Sequence, residues 1–194
     1  MRSWARWAAA KAWPPLPPLL SKYPKKPDSA MNPEIDLLAF AAVENLKAAG
    51  LTVTMAESCT GGMIAAALTE VPGASAVFRY GWVTYCNEAK ERLLGVPAEL
   101  IEEHTVVSEP VVAAMATAAM RQSGADIAVA VSGNAGPTAP EGEPPAGTVC
   151  LAIARRGAAR PIHTETLYLP GMTRRQFRER VTAKALQLIA GAAS

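Results

Sequence analysis

Hydrophobic residues recur every three to four positions just after Asn32, a pattern that is typical of one buried helix face. Asparagine is a favourable N-cap, proline is favoured at the first helical position, and glycine commonly follows the last turn of a helix. We therefore predict a helix that begins after Asn32 and ends at Gly50. Its apolar positions are Ile35, Leu38, Ala42 and Leu46.

The pattern changes at several later places to the continuous or alternating apolar runs of strands. The continuous run at 127–131 predicts a strand covered on both faces, whereas 162–169 alternates like a strand with one wet face. Because helices and strands interleave, we predict an α/β fold: a three-layer α/β/α domain with a mixed β-sheet. The other strands are predicted at 51–55, 77–85 and 148–153, and the other helices at 63–68, after Asn87, after Pro97, at 108–124 and at 173–190.

Length and charge indicate one folded domain with a distinct leader. The 194 residues, half of them hydrophobic, suit a single core. Residues 1–30 carry a net charge of +5 and residues 31–194 carry −3, and the mildly acidic part does not favour nucleic-acid binding. We interpret 1–30 as a disordered extension, or as a non-native one that results from translation begun upstream of a true start at Met31. A targeting peptide or a lipid-surface anchor is the alternative.

The cysteines and histidines argue against a metal centre. Cys59, Cys86 and Cys150 are scattered without CxxC spacing, which is typical of a reducing cytoplasm. His104 and His163 are far apart and outside any ligand-spaced motif. No apolar run approaches the roughly 18 residues that a membrane-spanning helix needs. We expect no metal, no cofactor and no membrane partner.

The turn at 56–62 is the main candidate for chemistry. It joins the strand at 51–55 to the helix at 63–68 and contains Ser58, so it places a hydroxyl beside free backbone N–H groups. A serine needs a base to become a nucleophile. A Ser-His pair has no local signature here, which leaves a lysine base as the stronger hypothesis.

Lys90 is the candidate base. It lies three and four residues before Leu93 and Leu94, at the edge of an apolar helical face, and in a first turn where the helix dipole disfavours a cation. Partial burial and the dipole both lower the pKa of an ammonium group. The alternative is a solvated lysine paired with Glu91 or Glu88, and spacing alone does not decide between them.

Each of the other candidates has a structural alternative. Cys59 is either a nucleophile or a buried packing residue, and the glycine pair at 61–62 forms either an anion cradle or a tight turn. The segment 133–137 is either a ligand-facing loop at the carboxyl end of the sheet or a plain connector. Arg174 and Arg178, one helical turn apart, either grip a phosphate or form a solvated face.

Several motifs in one order then give a specific resemblance. The motifs are Ala-Glu-Ser-Cys-Thr-Gly-Gly at 56–62, Gly-Trp-Val-Thr-Tyr-Cys-Asn-Glu-Ala-Lys at 81–90, Leu-Gly-Val at 94–96, Val-Ser-Glu at 107–109, Gly-Asn-Ala-Gly-Pro at 133–137 and Gly-Thr-Val at 147–149. With these motifs the chain resembles the nicotinamide-nucleotide amidase family, the stand-alone form of the C-terminal domain of the competence/damage-inducible protein CinA, over about residues 33–190.

The resemblance implies a metal-free reaction in which nicotinamide mononucleotide is hydrolysed to nicotinate mononucleotide and ammonia. It implies Ser58 as the nucleophile, Lys90 as its base and Tyr85 as a helper, with an acyl-enzyme intermediate. We expect a cytoplasmic homo-oligomer that acts on a small nucleotide. The expected substrate-binding residues, for the oxyanion and the phosphate, are Cys59, Thr60, Gly61, Gly62, Ser132, Gly133, Ala135, Gly136, Arg174 and Arg178.

Four departures from the family pattern keep other functions open. Asn134 stands where relatives usually carry a hydrophobic residue, 138–141 lacks the usual Gly-Gly pair, and 171–174 has an apparent one-residue insertion. The sequence 144–146 also replaces a common Lys-Pro-Val. The alternatives are a nucleotide-binding or regulatory module without turnover, and an amidase for another small carboxamide.

Overall fold

The computed structural model describes residues 32–193, which contain six α-helices and five β-strands. The predicted extension at 1–30 lies outside the described residues and stays a prediction. The helices are α1 (Pro33–Ala49), α2 (Met63–Thr69), α3 (Asn87–Ala89), α4 (Ala98–His104), α5 (Glu109–Ser123) and α6 (Arg174–Ala192). The strands are β1 (Val53–Glu57), β2 (Phe78–Val83), β3 (Ile127–Gly133), β4 (Thr148–Arg155) and β5 (His163–Tyr168).

The ends of α1 follow the predicted capping chemistry. The side chain of Asn32 accepts a hydrogen bond from the N–H of Glu34 at 3.0 Å, and Pro33 occupies the first turn. Gly50 has a left-handed φ of 66° and donates its N–H to the carbonyls of Leu46 and Lys47. Glycine adopts this conformation without strain, so the helix ends where the sequence predicts.

The sheet is mixed, as predicted. Its strand order is β2-β1-β3-β4-β5; β1 is parallel to β2 and β3, whereas β4 is antiparallel to β3 and β5. The carboxyl ends of the three parallel strands therefore meet at one edge of the sheet. In open α/β sheets this edge is where ligands bind, and the turn after β1 lies there.

Helices cover both faces of the sheet, which confirms the three-layer α/β/α architecture. Along β3 the branched side chains Ile127, Val129 and Val131 face one core with α1, α2 and α6, whereas Ala128 and Ala130 face a second core with α4 and α5. The small side chains on the second face let α5 pack closely against the strands. All of β3 except Gly133 is buried, as its continuous apolar run predicts.

Three local predictions were wrong. β2 ends at Val83 rather than at residue 85, and Cys86, not Asn87, is the N-cap of α3. The helical segment after α3 is also not α-helical, because Lys90–Leu94 forms a π-helical turn that follows α3 directly. No helix within residues 32–193 has the length and apolar character needed to cross a bilayer.

Candidate active site

Ser58 and Lys90 form a buried pair at the carboxyl end of the sheet. Ser58 directly follows β1, and its N–H donates to the carbonyl of Val131 at 3.1 Å, which extends the β1–β3 pairing by one residue. The Nζ of Lys90 lies 3.1 Å from Ser58 Oγ and donates to the carbonyl of Thr84 at 2.8 Å. The two side chains that the sequence singled out are therefore in hydrogen-bond contact.

Burial makes Lys90 chemically unusual. It is 1% exposed, and this burial lowers the pKa of its ammonium group from 10.5 to about 8. The charge of Glu143 opposes this shift only in part. Lys90 is therefore not the solvated surface lysine of the alternative interpretation. Near pH 8 a substantial fraction of Lys90 is a neutral amine, which is the form that accepts a proton.

The segment that carries Lys90 is a π-helical turn, and its side chains do not share faces as predicted. The sequence predicts that Lys90 shares an apolar edge with both Leu93 and Leu94, yet Leu94 is 1% exposed and Leu93 is 50% exposed. The N–H of Val96 donates to the carbonyl of Lys90 at 3.2 Å, which closes the segment on itself. A π turn is wider than an α turn and changes which side chains share a face.

The turn after Ser58 is shaped by its two glycines. Gly61 and Gly62 have φ values of 59° and 93°, which L side chains rarely adopt. The N–H of Gly61 donates to the carbonyl of Ser58, and the N–H of Gly62 donates to the carboxylate of Glu57. These two groups are thus already paired, although the sequence suggested all of 59–62 as anion donors.

The N–H groups of Cys59 and Thr60 differ from those of the glycines. Within residues 32–193, neither has a hydrogen-bond acceptor on another residue. Backbone N–H groups without a partner in buried surroundings are suited to hold a ligand oxygen. They belong to the two residues that immediately follow Ser58 in the turn.

The side chain of Cys59 does not compete with Ser58 as a nucleophile. It packs in the core shared by α1, α2 and α6, and burial raises the pKa of its thiol to about 12. The thiolate is the reactive form of cysteine, so this thiol is inert at neutral pH. The packing interpretation of Cys59 therefore fits the structure.

Arg174 joins three segments that the sequence assigned to the site. Its Nη2 donates to the phenol oxygen of Tyr85, and its Nη1 donates to the carbonyl of Gly136 at 3.2 Å. Tyr85 is 59% exposed, and within residues 32–193 no hydrogen bond joins it to Ser58 or Lys90. The structure thus places Tyr85 at the rim of the site, beside an exposed guanidinium.

Arg178 has a different environment from Arg174, although the two are one turn apart on α6. Its Nε and Nη2 both donate to the carbonyl of Thr60, at 3.2 and 2.6 Å. Arg178 is half-buried, whereas Arg174 is exposed. The two arginines that the sequence treated as equivalent therefore hold different partners.

Three other predicted binding residues have structural partners. The hydroxyl of Ser132, a residue 1% exposed, donates to the carbonyl of Val106 at 2.8 Å. A Cβ at Gly133 would lie 2.9 Å from the carbonyl oxygen of Thr148, so close packing of β3 on β4 requires glycine there. Ala135 is buried in the core. Of the predicted loop residues, Gly136 alone is in contact with a charged rim residue.

Sequence reasoning missed three residues at this site. The carboxylate of Glu57 is buried under the turn, and the carbonyl of Thr84 holds Lys90. Glu143 accepts the N–H groups of Val106 and Val107 at 3.1 and 3.4 Å. A charged residue ending the apolar strand β1 was a usable signal for Glu57. Every residue has a backbone carbonyl, so the identity of Thr84 gave no signal that its carbonyl holds Lys90.

A metal centre lacks a ligand cluster in the described part of the chain. No group of three or more His, Cys, Asp or Glu side chains within residues 32–193 is arranged to hold an ion. The side chains and backbone groups gathered at the carboxyl edge of the sheet are a hydroxyl, an amine, carboxylates, backbone N–H groups and guanidinium groups.

Comparison with known proteins identifies the family of the chain. The family model described as CinA C-terminal domain matches residues 36–192. A CinA-like protein of Akkermansia muciniphila is 51% identical over 146 residues, which are 75% of this chain and 34% of the relative. The chain thus spans about a third of the length of the curated relatives it matches.

Solved structures agree with this match. The competence/damage inducible protein CihA of Agrobacterium tumefaciens superposes with a TM-score of 0.81 and 36% identity, over 86% of this chain and 100% of the other. A CinA superfamily protein of Klebsiella pneumoniae gives a TM-score of 0.77 and 36% identity, over 82% and 97%. By sequence and by fold, this chain belongs to the CinA family and carries its C-terminal domain.

Proposed function

We propose that this protein hydrolyses the carboxamide of nicotinamide mononucleotide to nicotinate mononucleotide and ammonia. The observation that carries the proposal is the buried contact of 3.1 Å between Lys90 Nζ and Ser58 Oγ. A lysine whose pKa is lowered to about 8 suits general-base catalysis near neutral pH. The resemblance to nicotinamide-nucleotide amidases supports the choice of substrate.

Acylation of Ser58 is the first chemical step. The neutral amine of Lys90 takes the hydroxyl proton while Ser58 Oγ forms a bond to the carboxamide carbon. The carbonyl oxygen becomes an oxyanion and accepts hydrogen bonds from the N–H groups of Cys59 and Thr60. One such donor is worth about 3 kcal/mol in the transition state.

Departure of ammonia and hydrolysis complete the reaction. The ammonium group of Lys90 returns the proton to the amide nitrogen, the C–N bond breaks, and ammonia leaves. A water molecule then gives a proton to Lys90 and attacks the acyl carbon. The C–O bond to Ser58 breaks, nicotinate mononucleotide leaves, and Lys90 returns the proton to Ser58 Oγ.

Arg174 is the best phosphate ligand at the rim. It is exposed, and its contacts to Gly136 and Tyr85 are readily exchanged for a phosphate. The N-terminus of α2 is a poorer anion site because the carboxylate of Glu57 already accepts its N–H groups. We therefore place the phosphate near α6 rather than at the glycine turn.

Replacing Arg174 by alanine is expected to raise KM for the nucleotide by about 10- to 100-fold, the value of one charged hydrogen-bonding partner, with little change in kcat. Initial rates of ammonia release measure both constants. Arg175→Ala is the matched control, because Arg175 is exposed on the same helix and pairs only with Glu179 in the described structure. An unchanged KM for Arg174→Ala would remove Arg174 from phosphate binding.

The pH dependence of kcat/KM is expected to report Lys90. Activity should rise with pH and level off above about 8, since the neutral amine is the active form. Glu143 raises the pKa of Lys90 through its charge, so Glu143→Gln is expected to shift the rise to lower pH. Glu141→Gln, an exposed carboxylate in the same loop, is the control and should leave the profile in place. A shift to higher pH would contradict this assignment.

Ammonia release from nicotinamide mononucleotide by the purified protein tests the function itself. Product identity is checked by mass spectrometry of nicotinate mononucleotide. Binding of the nucleotide without ammonia would indicate a regulatory module, which the changed loop at 138–141 makes the first rival. Faster release of ammonia from other small carboxamides would assign the same Ser58–Lys90 pair to another amide.

A further inference from the structure

Glu57 contacts the turn that follows Ser58, and the proposed catalytic steps give this residue no role. It is 1% exposed, and its carboxylate accepts the N–H groups of Gly62, Ile64 and Ala65 at 2.9, 3.2 and 2.9 Å. These groups form the start of α2, and its N-cap residue, Gly62, has no side chain to cap it. The end of β1 therefore supplies the cap, and a buried negative charge satisfies the helix N-terminus.

Arg178 contacts the same turn from α6. Its two hydrogen bonds to the carbonyl of Thr60 join positions 118 residues apart in sequence. A Cβ at Gly61 would lie 3.3 Å from Arg178 Nη2, so the guanidinium packs directly against the turn. Two donors on one carbonyl fix the orientation of the peptide that follows Thr60.

The charges of Glu57 and Arg178 both affect Cys59, the residue that follows Ser58. The carboxylate of Glu57 adds to the effect of burial in raising the pKa of the Cys59 thiol, whereas Lys90 and Arg178 lower it. Glu57 lies two residues before Cys59, Lys90 contacts Ser58 and Arg178 contacts Thr60, so all three are close to Cys59. Glu57 and Arg178 hold the N–H of Gly62 and the carbonyl of Thr60, but neither occupies the N–H groups of Cys59 and Thr60.

We propose that Glu57 and Arg178 are positioning residues, which together clamp the turn so that Ser58 faces Lys90 and the two free N–H groups remain available. The kinetic part of this inference rests on the proposed amidase function. Arg178 then acts through the nucleophile turn rather than as a ligand of the substrate phosphate. A loosened clamp slows the chemical step but leaves substrate binding intact.

The experiment compares Glu57→Gln, Arg178→Met and Arg178→Lys with the wild-type protein. Turnover of nicotinamide mononucleotide gives kcat and KM, and thermal unfolding reports whether each variant folds. Diisopropyl fluorophosphate gives a readout independent of the amide substrate, because Ser58 Oγ forms a P–O bond as fluoride leaves and Lys90 takes the proton. Peptide mass spectrometry locates and times this label.

The matched controls are Glu109→Gln and Arg175→Gln. Glu109 is a half-buried carboxylate that accepts hydrogen bonds from Thr164 and Thr166, and Arg175 is an exposed arginine of α6. Neither contacts the turn, so both controls should keep kcat and the labelling rate within about twofold of the wild type. If a control variant unfolds at a lower temperature but keeps its kcat and labelling rate, loss of stability alone does not slow the reaction.

We expect Glu57→Gln and Arg178→Met to lower kcat and the labelling rate by about 10- to 100-fold, with KM within about threefold. Arg178→Lys should recover part of the loss, since it retains one donor. Unchanged rates in folded variants, or a raised KM with normal kcat for Arg178→Met, would overturn the proposal. If Glu57→Gln does not fold, the two Arg178 variants decide.

The two proposals fail in distinguishable ways. A wild-type protein that releases no ammonia but is labelled at Ser58 would refute the amidase function, and the labelling rates would still test the clamp. A wild-type Ser58 that resists the label would overturn the clamp, because a hydroxyl positioned beside a neutral amine is reactive.

Discussion

Replacing Lys90 by methionine is expected to lower kcat for ammonia release by at least about 1,000-fold, since it removes the base that activates Ser58. Methionine has a similar length and no charge, so it fits the buried position. The measurement is ammonia release from nicotinamide mononucleotide under saturating substrate. A variant that keeps more than about a tenth of the wild-type kcat would remove Lys90 from the mechanism.

The same substitution is expected to keep or raise stability. The pKa of Lys90 lies near 8 in the folded protein and 10.5 is its ordinary value, a difference of about 3 kcal/mol in the cost of burying the charge. Between these two pH values the unfolded chain binds more protons, so the wild-type protein gains stability as pH rises. The Lys90→Met variant lacks this dependence of stability on pH. At pH 7 the unfolding temperature of the variant should not fall below that of the wild-type protein.

Lys47→Met is the matched control for both measurements. Lys47 lies on α1, where its half-buried side chain pairs with Glu44 at 3.0 Å and also donates to the carbonyl of Pro72 at 3.2 Å. Its replacement should leave turnover unchanged and should not flatten the pH dependence of stability. A surface pair of this kind contributes about 0–1 kcal/mol.

Replacing Ser58 by alanine is expected to lower kcat by at least about 1,000-fold, while nicotinamide mononucleotide still binds. The hydroxyl is the only atom group removed, and the turn keeps its hydrogen bonds through backbone groups and Glu57. Titration calorimetry measures binding, and ammonia release measures turnover. Intact mass of the wild-type protein during turnover should show an acyl adduct that Ser58→Ala lacks.

Ser123→Ala is the matched control for Ser58→Ala. The hydroxyl of Ser123 donates to the carbonyl of Ala119 at 2.8 Å, at the end of α5. This control should bind and turn over the nucleotide as the wild type does. Normal turnover by Ser58→Ala would rule out a serine acyl-enzyme and direct attention to direct attack by water.

The elements with a strong local pattern were predictable from the sequence. The cap at Asn32, the continuous apolar run of β3 and the glycine turn at 61–62 all occur where the pattern places them. Their causes are short-range: hydrogen bonds between near neighbours, side-chain periodicity and the freedom of glycine at positive φ. The fold class follows from their order, because alternating helices and strands have few ways to bury their apolar faces.

The site was predictable in its residue types but not in its partners. Arg174 and Arg178 have the same local signal, yet one holds Tyr85 and Gly136 while the other holds Thr60. One turn along α6 changes the position by about 5 Å, which is enough to move a guanidinium from one loop to another. The spacing of residues along a helix does not show which neighbouring loops its side chains contact in the folded protein.

The sequence alone determined the α/β class, the turn that carries Ser58 and the lysine worth testing beside it, since each depends on residues close together in the chain. Tertiary structure decided the rest: burial of Lys90 at the start of a π-helical turn, its contact with a serine 32 residues away, and the hydrogen bonds of Glu57 and Arg178 to the turn after Ser58. These contacts depend on how three layers pack. Packing determines desolvation, and desolvation lowers the pKa of Lys90.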